Sequence, residues 1–123
     1  MHILYLVADD SKMARKMAVK NLTLVVGEDV TILEAQNGLE AVELYKKHNP
    51  VLCLMDLTMP VMDGFEAIHE ICDFHKDAKI IVISADIQEL SMKKAQENGA
   101  IGFIKKPISE STLKDMIIKL GLL

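Results

Sequence analysis

Short apolar runs alternate with longer segments of helical periodicity along the whole chain. Five runs have the length of buried strands, at residues 3–8, 30–33, 51–55, 79–83 and 101–104. The segments between and after them repeat apolar residues every three or four positions, at 11–26, 38–48, 65–74, 87–98 and after Ser109. This alternation predicts an α/β fold, because strands separated by helices pair in parallel through right-handed crossovers.

The helical segments carry recognisable faces and ends. In the first, two apolar pairs lie at four-residue spacing, as in an amphipathic helix: Met13 with Met17, and Ala14 with Ala18. In the second, Leu39, Val42 and Tyr45 share one face. Pro50 is expected to stop the second helix. Gly99 suits the C-cap of the fourth helix, and Ser109 suits the N-cap of the fifth.

Polar side chains follow four of the five predicted strands. Asp9 and Asp10 come after the first run, Asp56 after the third, Ser84 ends the fourth and Lys106 follows the fifth. In open parallel sheets, ligands bind at the carboxyl ends of the strands. We therefore expect three carboxylates, one hydroxyl and one ammonium group to converge at one edge of the sheet.

This set of side chains favours phosphoryl transfer. Three neighbouring carboxylates cannot all stay ionised unless a cation neutralises them or their pKa values rise. An oxygen-only cluster suits Mg²⁺, and a carboxylate beside such an ion can attack phosphorus to form an aspartyl phosphate. Taken singly, Asp9 to Ser11 could simply cap a helix, Asp56 precedes a loop, and Lys106-Pro107 forms a turn. Their joint placement at the strand ends favours a phosphoryl-transfer site over these separate structural roles.

Composition narrows the class of protein. The 123 residues suit one domain, and the core must be aliphatic because half the residues are apolar but only 4% are aromatic. A net charge of −4 predicts no direct nucleic-acid binding, and no apolar run approaches the roughly 18 residues of a membrane span. Cys53 and Cys72 show neither metal-binding nor disulfide spacing, so we expect reduced thiols and a cytoplasmic location.

Four segments together resemble the receiver domain of bacterial response regulators. They are Ala8–Ser11, Met55–Gly64, Ile83–Ala85 and Gly102–Pro107. The second reads Met-Asp-Leu-Thr-Met-Pro-Val-Met-Asp-Gly, which makes the match highly specific, and the resemblance covers essentially the whole chain. It implies one receiver domain over residues 1–123, with a flavodoxin-like (βα)5 three-layer sandwich whose parallel sheet has strand order 2-1-3-4-5.

The resemblance also assigns roles at the predicted site. Asp56 would be the phosphoryl acceptor. Asp10, Asp56 and the backbone carbonyl of Thr58 would bind Mg²⁺ directly, while Asp9 would hold it through water. Lys106 would pair with the phosphoryl group, and its peptide bond to the following proline is expected to be cis.

Two further residues would form the switch that the resemblance implies. Ser84 would turn to hydrogen-bond the phosphoryl group, and Phe103 would move into the space that the hydroxyl leaves. Serine in place of the commoner threonine keeps the hydroxyl. Phenylalanine in place of tyrosine keeps a ring that can be buried but removes the phenolic hydroxyl, so an output that needs that hydroxyl would be lost.

The implied function is a two-component signalling switch, phosphorylated by a sensor or chemotaxis histidine kinase. Such a protein is not an enzyme beyond its own phosphorylation and slow dephosphorylation. Little sequence follows the fifth helix, so its output would be a protein partner, such as a flagellar switch or a phosphatase-like protein. The fourth helix, fifth strand and fifth helix would bind that partner, with Gln88, Met92, Lys105 and Lys114 on this surface.

Several alternatives stay open from the sequence. The chain could be a phosphorelay intermediate, or a receiver cut from a longer regulator. A pseudo-receiver that never takes a phosphoryl group is disfavoured by the complete set of Asp10, Asp56, Ser84 and Lys106. A flavodoxin-like cofactor binder is disfavoured because carboxylates after the first strand would repel a phosphate.

Overall fold

The computed structural model describes residues 3–86 and 88–122, so residues 1, 2, 87 and 123 of the predicted 1–123 domain lie outside the described part. Five strands alternate with five helices, as the pattern predicted: β1 (Leu4–Ala8), α1 (Lys12–Val26), β2 (Thr31–Ala35), α2 (Gly38–His48), β3 (Leu52–Met55), α3 (Gly64–Phe74), β4 (Ile80–Ser84), α4 (Glu89–Asn98), β5 (Gly102–Lys105) and α5 (Glu110–Lys119). None of these helices is long and apolar enough to cross a membrane.

All strand pairs in the sheet are parallel. The strand order is β2-β1-β3-β4-β5, so the predicted α/β, flavodoxin-like arrangement is confirmed. The chain reverses its direction of growth across the sheet between β1 and β3, and this switch point leaves a crevice at their carboxyl ends. The topology therefore places the residues that follow β1 and β3 side by side.

Each face of the sheet packs against its own layer of helices. On one face, Leu6, Met55 and Val82 pack with α2, α3 and α4; on the other, Val7 and Leu54 pack with α1 and α5. Successive side chains of a strand point to opposite faces, so both faces of the central strands are covered. This is why the runs on β3 and β4 are continuously apolar rather than alternating.

The predicted apolar faces of α1 and α2 are partly wrong. In α1, Met13 is 75% exposed and Met17 is also exposed, whereas Ala18 is buried as predicted, together with Leu22. Met17 precedes Ala18 by one residue, about 100° around the helix, and so lies off the buried stripe. Both methionines instead line a cavity of about 330 Å³ beside Lys106.

In α2, the buried face follows the i, i+3, i+4, i+7 pattern and places Leu39 off it. Leu39 is exposed, while Val42 and Tyr45 are buried as predicted. The helix ends at His48, two residues before Pro50, and Asn49 between them adopts a left-handed backbone conformation. Its amide donates a hydrogen bond to the carbonyl oxygen of Tyr45.

Most boundaries differ from the predictions by one or two residues. β4 extends to Ser84 and β5 to Lys105 because these two polar residues still pair in the ladder. The predicted start of α4 at Ile87 lies outside the described residues, and Gly99 caps its end with a positive φ of 123°. Ser109 is the N-cap of α5, as predicted.

Candidate functional site

The carboxyl ends of β1 and β3 bring three aspartates together. Asp9 and Asp10 follow β1, Asp56 follows β3, and one carboxylate oxygen from each lies within 4.8 Å of the other two. Asp9 and Asp56 are buried, whereas Asp10 is exposed at the mouth of the cluster. The prediction that these three carboxylates converge at one edge of the sheet is therefore confirmed.

The amide, the carbonyl oxygen and the carboxylate of Asp9 all have polar partners. Its amide donates to the carbonyl oxygen of Ala35 at 3.0 Å, which extends the β1–β2 ladder by one bond. Its own carbonyl oxygen accepts from Nη1 of Arg15 at 2.9 Å. Its carboxylate accepts from the amide of Ser11 at 2.9 Å and contacts Nζ of Lys106 at 2.7 Å. A buried charge with this many partners has a fixed orientation.

Asp56 is a buried carboxylate whose proton affinity is raised. Burial, followed by the negative charge of Asp9, raises its pKa from 3.8 to about 6. The charge of Lys106 and a 2.9 Å hydrogen bond from the amide of Leu57 oppose this rise. Asp56 is therefore mostly ionised at neutral pH.

Lys106 connects the carboxylates that follow β1 and β3. Its Nζ lies 2.7 Å from Asp9 and 3.5 Å from Asp56. Burial alone would lower the pKa of Lys106, but the hydrogen bond to Asp9 and the charge of Asp56 outweigh burial and raise it. Its amide donates to the carbonyl oxygen of Ser84 at 2.9 Å, and its bond to Pro107 is cis, as the resemblance implied. The ammonium group is thus charged and directed into the cluster.

Three other predicted site residues, Ser84, Phe103 and Thr58, form no hydrogen bond with the three carboxylates in the described part of the chain. Ser84 is buried at the end of β4, where its Oγ accepts a 3.0 Å hydrogen bond from the amide of Asp86. Phe103 lies on β5 opposite Val82 and packs, half-buried, against the core under α2 to α4. Thr58 is exposed in the loop after Asp56. Their predicted roles therefore remain predictions.

The loop that carries Thr58 is fixed by close backbone packing. Gly64 donates to the carbonyl oxygen of Leu57 at 2.8 Å, and a Cβ at Gly64 would collide with the backbone of Asp56. Gly38, at the start of α2, donates to the carbonyl oxygen of Met62 at 2.9 Å. Between these anchors, Val61 has a φ of 69°, a strained conformation for a β-branched residue. The loop therefore has one conformation enforced from both ends.

The donor set fits a magnesium ion. All three groups are carboxylates, and Mg²⁺ prefers oxygen ligands while keeping several of its waters. Asp10 has no hydrogen-bond or ion-pair partner among residues 3–86 and 88–122, so both of its oxygens are available. A divalent cation would also offset the repulsion between Asp9 and Asp56 that Lys106 relieves only in part.

Sequence reasoning missed one pair of residues at the site. Arg15 donates through Nε to the carboxylate of Glu34 at 3.0 Å and through Nη1 to the carbonyl oxygen of Asp9. Its side chain is only 12% exposed. A single arginine in a helix that also carries three lysines gives no signal of this contact, because the contact depends on where β2 lies beside β1.

The sequence of this chain is similar to those of known proteins. A family model described as the response regulator receiver domain matches residues 5–118. The chemotaxis protein CheY of Halobacterium salinarum is 42% identical over 113 residues, covering 91% of each protein. CheY of Bacillus subtilis is 40% identical over 114 residues, covering 93% of each.

The structural comparison leads to the same group of proteins. A chain in the crystal structure of the CheX-CheY-BeF3-Mg²⁺ complex from Borrelia burgdorferi matches with a TM-score of 0.88 and 31% identity. The match covers 98% of this chain and 90% of that chain. The family model spans most of the chain, and the CheY proteins match it nearly end to end. This chain therefore belongs to the response regulator receiver domain family.

Proposed function

We propose that this protein is a phosphorylation switch that accepts a phosphoryl group on Asp56 in the presence of Mg²⁺. One observation carries the proposal: a buried, ionisable carboxylate lies beside two other carboxylates and 3.5 Å from an ammonium group, all at the carboxyl edge of a parallel sheet. The raised pKa of Asp56, about 6, still leaves it ionised at neutral pH. This combination suits nucleophilic attack on phosphorus followed by neutralisation of the transferred charge.

In the proposed reaction, a carboxylate oxygen of Asp56 forms a bond to phosphorus. The bond from phosphorus to the donor breaks, and the donor atom leaves with the electron pair. The amide of Leu57 holds Oδ1 at 2.9 Å, which orients the carboxylate before attack. Lys106, already directed at Asp56, would stabilise negative charge on the transferred group.

Asp10, Asp56 and the carbonyl of Thr58 would hold the metal, with Asp9 acting through water. When bound, Mg²⁺ would supply positive charge for the phosphoryl oxygens. Asp10 is suited to direct binding because it is exposed and has no polar partner among the described residues. Asp9 is suited to an indirect role because Ser11 and Lys106 already engage its carboxylate.

The switch would act through the residues at the ends of β4 and β5. Ser84 would give up the hydrogen bond from Asp86 and donate its hydroxyl proton to a phosphoryl oxygen. Phe103, half-buried on β5, would turn inward as the hydroxyl leaves. This would alter α4, β5 and α5, the surface that we propose for partner binding.

The proposed setting is a cytoplasmic two-component system, with residues 1–123 forming one receiver domain. A sensor or chemotaxis histidine kinase would donate the phosphoryl group. The similarity to CheY proteins supports a protein target, either a flagellar switch or a phosphatase-like protein. The crystal structure of a CheX-CheY complex supports the second class of target. We propose no catalysis beyond self-phosphorylation and slow dephosphorylation, and the same chemistry would also serve a phosphorelay intermediate.

Intact-mass measurement after incubation with acetyl phosphate tests the proposal. With Mg²⁺, the wild-type protein should gain the mass of one phosphoryl group. The adduct should be lost on exposure to acid, and it should not form in reactions that contain EDTA. Asp56→Asn should gain no mass because the amide is not a nucleophile at this position.

Asp63→Asn is the matched control. Asp63 lies in the same loop region and caps α3 through its side chain, a function that asparagine retains. This variant should label like the wild type. Labelling that persists in Asp56→Asn would place the acceptor elsewhere, and no labelling of the wild type under any condition would favour a phosphorylation-independent pseudo-receiver.

A further inference from the structure

Arg15 and Glu34 form a clamp on the backbone between the two aspartates that follow β1. The guanidinium of Arg15 donates to the carboxylate of Glu34 at 3.0 Å and to the carbonyl oxygen of Asp9 at 2.9 Å. That carbonyl belongs to the peptide unit that joins Asp9 to Asp10. Arg15 therefore holds the peptide from which the exposed Asp10 carboxylate extends.

The same peptide region is held from its other side by the same strand. Ala35 follows Glu34 on β2, and its carbonyl oxygen accepts from the amide of Asp9 at 3.0 Å. Both the N–H and the C=O of Asp9 are thus anchored, directly or through Arg15, to two consecutive residues of β2. Arginine suits this task because its planar group donates in two fixed directions at once.

We propose that Arg15 is a positioning residue for the magnesium site, with Glu34 fixing its orientation. The inference rests on the proposed function and extends it to residues that do not touch the ion. Asp10 lacks polar partners of its own among the described residues, so its direction depends on the backbone to which it is attached. The clamp fixes that backbone, and metal sites whose ligands are held by such outer partners typically lose about 10- to 100-fold in affinity without them.

Charge and positioning predict opposite effects at this residue. Removing a positive charge near a cation site should by itself strengthen Mg²⁺ binding or leave it unchanged. Loss of the clamp should weaken binding. The sign of the change therefore separates the two explanations without any measurement of phosphorylation.

The experiment is calorimetric titration of MgCl₂ into metal-free wild type, Arg15→Gln, Glu34→Gln and the double variant. Lys16→Gln is the matched control because Lys16 lies next to Arg15, is exposed, and has no polar partner among the described residues. We expect the Mg²⁺ dissociation constant to rise about tenfold in Arg15→Gln. It should not rise in Lys16→Gln. Glu34→Gln should weaken binding in the wild-type background but add little in the Arg15→Gln background, because both act through one clamp.

Equal or tighter binding in Arg15→Gln would overturn the inference while leaving the proposed function intact. Failure of the wild type to bind Mg²⁺ would overturn both. Circular dichroism melting verifies that each variant is folded at the titration temperature. If Arg15→Gln is unfolded there, Arg15→Lys replaces it, because lysine keeps the positive charge but lacks the planar group that donates in two fixed directions; unchanged affinity in Arg15→Lys would refute the clamp.

Discussion

Replacing Asp56 with asparagine should stabilise the metal-free protein at pH values above about 6. The wild-type side chain is buried beside Asp9, and its pKa in the folded protein is about 6 against an ordinary value of 3.8. This difference, at about 1.4 kcal/mol for each pKa unit, corresponds to about 3 kcal/mol of cost for the ionised form. Screening by water at the exposed mouth of the site reduces this cost, and we expect a gain of about 2 kcal/mol.

The pH dependence follows from the direction of the shift. Because the folded-state pKa is raised, the folded protein binds the proton more tightly than the unfolded chain between about pH 4 and pH 6. The stabilisation that the Asp56 carboxyl group gives to the folded wild type is complete below the pKa of this group in the unfolded chain. It is lost as the pH rises through its folded-state pKa of about 6. The advantage of Asp56→Asn should therefore be close to zero near pH 4 and reach its plateau above pH 7.

Urea unfolding in EDTA, followed by circular dichroism at several pH values, measures this difference directly. Asp63→Asn, which keeps its helix cap, is again the control for loss of an aspartate. A stability difference that does not change with pH, or an Asp56→Asn protein that is less stable than wild type near pH 8, would refute the electrostatic reasoning.

Three further substitutions probe the parts around Asp56. Lys106→Ala should slow labelling by acetyl phosphate at least tenfold, since the ammonium group 3.5 Å from Asp56 is lost; an unchanged labelling rate in timed mass spectra would contradict its role. Gly64→Ala should lower the free energy of unfolding by about 2–3 kcal/mol, because a Cβ would meet the backbone of Asp56, and an unchanged urea midpoint would show that the loop can yield. Val61→Gly should raise the free energy of unfolding by about 1 kcal/mol through relief of its positive φ, and a lower urea midpoint would disprove strain there.

Much of this architecture could be predicted because burial and periodicity are local properties of the sequence. The continuous apolar runs of β3 and β4 predicted central strands, and the residues after them predicted the site. Spacing was ambiguous where a helix carries more apolar residues than its buried face needs, as with Met13 and Leu39. In α1, the spacing of apolar residues could not distinguish the Met13–Met17 face from the Ala14–Ala18 face, which is shifted by one residue along the helix.

The Arg15–Glu34 contact shows a different limit. It joins the first turns of α1 to the end of β2, 19 positions later in the chain, and its formation depends on the register of β2 against β1. The sequence pattern of α1 or of β2 taken alone does not predict that register. The same holds for the strand ends at Ser84 and Lys105, which are set by backbone pairing and not by side-chain hydrophobicity.

The ion pair between Asp9 and Lys106 also bears on how the protein folds. The two residues follow β1 and β5, strands that are separated in the sheet by β3 and β4 and lie near opposite ends of the chain. Contacts of such long sequence separation close late, because the entropy of a long loop must first be lost. A partly folded chain without β5 would leave Asp9 and Asp56 repelling each other without their ammonium partner. The site proposed for phosphorylation is therefore complete only when the last strand has docked.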